Sequence, residues 1–226
     1  MGGMEFLGYI IIPLVLGLWA QWKVKSTFAR WSEVGSRSGV TGAEAAEEVL
    51  RAAGVTGVTI ERVDGFLTDH YDPSARKLAL SSDNYDGRSV AALGVAAHEA
   101  GHAIQHAQAY APLKMRSALV PLTLVANQVA FFAMLLGGFL FSQGGGGLIL
   151  NLAIGAYAVI TLFTLITLPV EFDASARARR ALQASGILAA DEDRGAREVL
   201  DAAAWTYIAG FVAALGNLLF LLNRRE

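Results

Sequence analysis

The chain has 226 residues, of which 54% are hydrophobic, and a formal net charge of −2 at pH 7. With a mean hydropathy of +0.43, this composition excludes an ordinary soluble enzyme. The absence of cysteine excludes disulfides and thiolate metal ligands. The net charge does not identify a partner, and the lack of a basic cluster argues against a nucleic-acid partner.

Four stretches of the chain are apolar enough to cross a lipid bilayer, which needs about 20 mostly apolar residues. None of the four contains Lys, Arg, Asp or Glu. Buried core helices are the alternative, but the remaining polar protein is too short to enclose four of them. The sequence therefore predicts a multi-pass membrane protein with spans at 6–22, 118–142, 148–170 and 203–222.

The charged residues beside these spans predict their orientation. The first span lacks the basic start and the cleavage site of a signal peptide, so we interpret it as a retained anchor. By the positive-inside rule, 23–117 and 171–202 are predicted to be cytoplasmic, with 143–147 as an external turn and both termini outside. Arg224 and Arg225 argue against this orientation but are outnumbered. The residues that favour it are Lys23, Lys25, Arg30, Arg37, Lys114, Arg116, Arg177, Arg179 and Arg180.

The polar segments predict a small mixed domain. Thr41 and Glu44 have the spacing of a capping box, so a helix is predicted to begin there and to end at Gly54. Residues 58–63 and 77–81 are predicted to be strands. Residues 78–80 form either an edge strand that could pair with an extended peptide or a core strand, and 69–72 are predicted to be a polar loop that could border the site. Further helices are predicted from Glu171 to about Ser185 and from the Asp191 region into the fourth span.

The sequence His-Glu-Ala-Gly-His at 98–102 is the HExxH pattern of zinc hydrolases. It lies in a predicted helix over 89–110, where His98 and His102 face the same side and can reach one metal ion. Glu99 lies beside that ion and can act as a general base toward water. Because the helix is rich in small apolar residues, it is predicted to be buried. Its buried histidines and glutamate would need partners, which a metal supplies.

A catalytic zinc takes three protein ligands, and HExxH provides only two. His106 lies about 12 Å along the helix and about 80° around it from His98, so a continuous helix cannot bring both to one ion. Glu171 is the better candidate, because a two-span hairpin returns it to the same side of the membrane as His102. A carboxylate at the end of an apolar span is costly unless it is paired. A helix N-terminus would also favour acidic residues there, Asp173 included.

Several segments of the chain resemble motifs of one protein family, and they occur in the same order along the sequence. Segments 38–44, 69–73, 96–106, 171–175 and 199–207 resemble the YugP-type neutral zinc metallopeptidases of bacterial membranes, over nearly the whole chain. The order of HExxH, membrane hairpin and Glu-x-x-Ala-Asp is also similar to the HtpX and Ste24 proteases, whose third-ligand glutamate corresponds to Glu171. Ser175 stands where those proteases have aspartate. Asp173 is therefore the candidate hydrogen-bond partner of a ligand histidine.

Together these features predict a mainly α membrane protein with four transmembrane helices and a small α+β zincin-like cytoplasmic domain. The predicted parts are transmembrane helix 1 (1–22), the zinc peptidase part (23–117), a transmembrane hairpin (118–170), cytoplasmic helices with the third ligand (171–202), and transmembrane helix 4 with the C-terminus (203–226).

The predicted function is that of a gluzincin-like endopeptidase in the bacterial cytoplasmic membrane. It would cleave membrane or misfolded proteins with one catalytic Zn²⁺ held by His98, His102 and Glu171. Glu99 is the predicted base, and His106, Arg177 and Tyr207 are candidate donors to the oxyanion. Two alternatives are an intramembrane-cleaving metalloprotease and a non-catalytic zinc-binding scaffold or chaperone-like adaptor.

Overall fold

The structure is a computed structural model that describes residues 7–142 and 146–224. Within these residues the chain forms seven α-helices and three strands. A π-helical turn, Leu7–Ile11, leads into the first helix. In chain order the elements are α1 (Ile12–Ser32), α2 (Gly42–Ala52), β1 (Thr59–Val63), β2 (His70–Asp72), β3 (Lys77–Ser81), α3 (Ser82–Tyr85), α4 (Val90–Ala107), α5 (Ala111–Ser142), α6 (Gly146–Ser185) and α7 (Ala190–Asn223).

Four of the described helices are long and apolar enough to cross a membrane. They are α1 with its π-helical turn, α5, α6 and α7, which confirms the four predicted spans. The predicted external turn at 143–147 includes 143–145, which lie outside the described residues.

The helices extend well beyond the predicted spans. The expected new helix at Glu171 is wrong, because α6 continues unbroken from Gly146 to Ser185 with Pro169 inside it. A membrane helix can accommodate a proline because neighbouring groups satisfy the freed backbone carbonyl. Gly186, at a φ of 66°, follows the end of the helix. The sequence therefore located the end of this helix but not its start.

The three strands form one small mixed sheet in the order β1-β3-β2. β3 pairs in parallel with β1 and antiparallel with β2. β3 is thus the central strand, so the edge-strand interpretation of 78–80 is wrong and the core-strand alternative is confirmed. The loop predicted at 69–72 is also corrected, because His70–Asp72 is a strand. Asp72 accepts hydrogen bonds from the backbone of Ser74 and Ala75, which closes the turn between β2 and β3.

Contacts divide the chain into two compact units. We call Met1–Gln21, Lys114–Leu168 and Thr206–Glu226 the spanning unit, and Trp22–Leu113 with Pro169–Trp205 the site unit. In the spanning unit, Ala126 and Ala130 of α5 pack with Ala156 of α6. These small side chains allow close packing between helices.

The core of the site unit is built around α4. The predicted capping box of α2 is confirmed, since Thr41 accepts from the backbone of Glu44 and Glu44 accepts from the backbone of Thr41. The amphipathic α2 buries Val49 and Leu50 against the apolar side of α4. The remaining core comes from β3, the end of α6 and the start of α7. This packing holds α4 inside the unit, so its polar residues have fixed surroundings.

Candidate metal centre

Helix α4 carries two histidines on one side. The hydroxyl of Ser89 accepts from the backbone N–H of Ala92 and caps the start of the helix. His98 and His102, one turn apart, have ring centroids 4.8 Å apart and ring planes at 80°. Glu99 is only 9% exposed. Within the described residues, its carboxylate makes no hydrogen bond or ion pair, which leaves it available to a bound water or substrate.

Helix α6 adds a carboxylate to these histidines. Oε2 of Glu171 lies 3.2 Å from Nε2 of His98 and 3.4 Å from Nε2 of His102. One ligand atom from each of the three residues lies within 4.8 Å of the others, and such a group could hold a metal ion. Glu171 is 2% exposed, so water does not screen its charge. The predicted set of three is therefore together in space.

The distances from the Glu171 oxygen to the two histidine nitrogens fit zinc. Two ligands at about 2.1 Å from a tetrahedral zinc ion are about 3.4 Å apart. The two nitrogen-to-oxygen distances, 3.2 and 3.4 Å, lie close to that value. Two imidazoles and one carboxylate also form a donor set that catalytic zinc uses, with a further position left for water or substrate.

The other nitrogen of each histidine has a partner in the site unit. Nδ1 of His98 lies 3.1 Å from the hydroxyl of Ser175. Nδ1 of His102 lies 3.1 Å from the side-chain oxygen of Gln105. Metal-binding histidines are commonly oriented by such a bond at the second nitrogen. Asp173 does not contact either histidine directly but accepts a hydrogen bond from Gln105, so its predicted direct role is corrected.

The carboxylates dominate the electrostatics around His102. Burial acts to lower its pKa, but the hydrogen bond to Glu171 and the charges of Glu99 and Glu171 outweigh burial and raise the pKa above its ordinary value. The site therefore attracts positive charge, either a proton or a metal cation.

The remaining predicted site residues have different surroundings. Nδ1 of His106 lies 2.9 Å from the hydroxyl of Tyr71 on β2, and His106 is not part of the three-residue group. Arg177 donates to Asp173 at 2.5 Å and also to Gln108. Tyr207 belongs to the spanning unit. His106 and Arg177 thus both have protein partners in the site unit.

Sequence reasoning missed Gln105 as a site residue. Gln105 follows His102 by three residues, so the helical period already placed it on the same side. The other hydrogen bonds of its amide are made to Val170 and Asp173 in α6, more than 60 residues away, and the sequence alone does not predict them. Ser175 was noted only as a departure from the aspartate of similar proteases. A hydroxyl at that position can still bond to an imidazole nitrogen.

Two histidines one turn apart and a carboxylate from a second helix form a group that could hold a metal ion, and they have the His₂Glu donor set found at catalytic zinc sites. The chain matches the family described as "Putative neutral zinc metallopeptidase" over residues 6–225. It is 43% identical over 227 residues to "Putative membrane protease YugP" of Bacillus subtilis (strain 168), with 99% of each chain covered. No solved structure matches the chain. The chain belongs to this family of neutral zinc metallopeptidases, whose metal is zinc. Four helices among its described residues are long and apolar enough to cross a membrane.

Proposed function

We propose that the protein is a zinc-dependent endopeptidase that cleaves membrane or misfolded proteins at the cytoplasmic face of a bacterial inner membrane. The observation that carries the proposal is the approach of one Glu171 oxygen to the Nε2 atoms of both His98 and His102. Family membership and similarity to a membrane protease support the type of reaction. The basic residues beside the spans support the cytoplasmic face.

His98, His102 and Glu171 would hold the zinc ion, as in gluzincin-type sites. When bound, zinc polarises the scissile carbonyl and lowers the pKa of water toward about 7. The chain supplies the base. A carboxylate oxygen of Glu99 takes a proton from the attacking water and transfers it to the leaving amine nitrogen. Glu99 suits this role because it lies next to His98 and is not held by a protein partner within the described residues.

His106 is the proposed donor to the oxyanion. Burial raises the pKa of Tyr71 above its ordinary value, so the phenol keeps its proton. With that hydroxyl donating to Nδ1 of His106, the imidazole carries its own proton on Nε2. That N–H can donate to the negative oxygen formed during hydrolysis. Arg177 is less suited because it is engaged by Asp173 and Gln108.

The alternatives have less support. An intramembrane protease would need its HExxH helix in the bilayer, but α4 is not among the described helices long and apolar enough to cross it. A zinc scaffold would need no base beside the metal ligands. Glu99 is instead kept 9% exposed without a hydrogen bond or ion pair in the described chain. Burial of a carboxylate without such partners costs free energy of folding, and a role as the base accounts for its presence.

The substitution Glu99→Gln tests the proposal directly. It keeps the size of the side chain but removes the proton acceptor, so the variant should retain zinc and lose hydrolysis of an unfolded protein by at least about 100-fold. Metal content is measured on the detergent-purified protein by mass spectrometry. Glu47→Gln, the same change on the exposed side of α2, is the matched control and should be fully active. Wild-type cleavage by Glu99→Gln would contradict the mechanism.

A further inference from the structure

Gln105 is a polar side chain enclosed in the core of the site unit. It is 0% exposed, and both ends of its amide are bonded. The oxygen lies 3.1 Å from Nδ1 of His102. The nitrogen donates to the carbonyl of Val170 at 2.8 Å and to Oδ2 of Asp173 at 2.8 Å. A fully buried amide with three such bonds has one defined orientation.

The partners of the amide also determine the proton on His102. The Val170 carbonyl accepts only, and so does the Asp173 carboxylate when ionised, so the nitrogen of Gln105 must face them and its oxygen must face the imidazole. An oxygen at that position requires a proton on Nδ1 of His102. In the neutral ring, Nε2 then carries the lone pair, and Nε2 is the atom 3.4 Å from Glu171. The ring is thus presented in the form that binds a metal.

We propose that Gln105 is a positioning residue that fixes the tautomer of His102 and the placement of Glu171 together. Its nitrogen bonds to the carbonyl of Val170, the residue immediately before Glu171. One amide therefore connects a ligand on α4 to the backbone that carries the ligand on α6. This inference rests on the proposed metal site and adds a residue that the HExxH pattern does not include.

Asp173 and Arg177 hold the amide of Gln105 in place. Asp173 accepts from Gln105 and from Nε of Arg177 through the same oxygen, at 2.8 and 2.5 Å. The guanidinium of Arg177 lies 5.5 Å from the ring centroid of Tyr110 and donates to Gln108, just after α4. The charged pair thus acts on His102 only through Gln105. A change at Asp173 should matter only while Gln105 is present.

The test measures metal binding by the full-length protein in detergent. Zinc affinity is obtained by competition with a chelator, and the visible absorption of bound Co²⁺ reports the coordination geometry. Gln105→Leu, similar in size without polar atoms, should weaken zinc about 10- to 100-fold and change the Co²⁺ spectrum. Asp173→Leu should weaken zinc about 2- to 10-fold, the effect of one hydrogen bond. Asp173→Asn keeps an acceptor oxygen and should bind zinc as the wild type does.

The double variant separates positioning from general destabilisation. In the Gln105→Leu background, Asp173→Leu should cause no further loss of zinc affinity, because its effect passes through Gln105. Independent, additive losses would overturn the proposal. If Gln105→Leu does not fold, the comparison of Asp173→Leu with Asp173→Asn tests the proposal instead. Equal zinc affinities in these two variants would also overturn it. Wild-type protein without zinc affinity would refute the proposed function itself. Wild-type zinc binding with an unchanged Gln105→Leu variant would refute only this inference.

Discussion

Gly101 packs directly against the backbone of Ala174. A Cβ atom on Gly101 would lie 2.5 Å from the carbonyl oxygen of Ala174, so only glycine allows α4 and α6 to approach this closely. On α4, Gly101 is one residue before His102, and on α6, Ala174 is three residues after Glu171. This close approach of the two helices is what brings Glu171 to both histidines.

Gly101→Ala should therefore damage the metal site. The added methyl group meets backbone rather than a flexible side chain, so the helices must separate, at a cost of about 1–3 kcal/mol in the free energy of unfolding. Zinc affinity should fall at least about 10-fold. Gly94→Ala on the same helix is the matched control. Its Cβ would lie 3.5 Å from Ala196, an ordinary contact, so it should keep zinc and stability. Equal zinc affinity in the two variants would contradict this account.

Ser175 should support His98 through the hydroxyl at 3.1 Å from Nδ1. Ser175→Ala removes that bond, and we expect zinc affinity to fall about 10-fold or more, with hydrolysis falling in parallel at limiting zinc. Ser175→Asp places a carboxylate at the same position and should retain zinc. Chelator competition measures both. A Ser175→Ala variant that binds zinc as tightly as wild type would show that the bond does not orient His98.

Tyr71 and His106 should affect the chemical step rather than metal binding. His106→Ala removes the proposed oxyanion donor, so kcat should fall about 100-fold while zinc content stays near wild type. Tyr71→Phe removes the hydroxyl 2.9 Å from His106 and should have a smaller effect in the same direction. Steady-state kinetics with metal analysis of each preparation distinguishes the two roles. Unchanged kcat in His106→Ala would exclude it as the donor.

Short-range sequence patterns were sufficient to predict most of the architecture. The four spans follow from long uncharged runs, and the capping box at Thr41 and the left-handed Gly54, at a φ of 67°, follow from short-range chemistry. β2 was missed because it is a three-residue polar strand that depends on pairing with β3.

Part of the candidate site could likewise be predicted from the sequence, and part of it could not. The HExxH pattern and the position of Glu171 after the membrane hairpin predicted that His98, His102 and Glu171 lie together. Helix periodicity and the number of membrane crossings constrain where these residues lie. The roles of Gln105, Ser175 and Gly101 depend on how α4 packs on α6. That packing follows from tertiary contacts, which a single sequence does not specify.

The orientation in the membrane can be tested because the chain has no cysteine. Glu47 is exposed on α2 in the site unit, and Gly145 lies in the predicted external turn. With single cysteines at these positions, a membrane-impermeant thiol reagent on intact cells should label Gly145→Cys. It should reach Glu47→Cys only after permeabilisation. The reverse labelling pattern would place the site unit on the outer face.

The zinc content of Glu171→Ala tests the central claim most directly. Removal of one of three ligands should leave the purified protein nearly free of zinc. His106→Ala should keep about one zinc per chain because its imidazole is not a ligand. Glu192→Gln is the control for loss of a buried carboxylate, since Glu192 is 4% exposed and bonds to the backbone of Arg37 and Ala189. It should also keep its zinc. Full zinc in Glu171→Ala, or zinc lost from His106→Ala instead, would contradict the assignment of His98, His102 and Glu171 as the metal site.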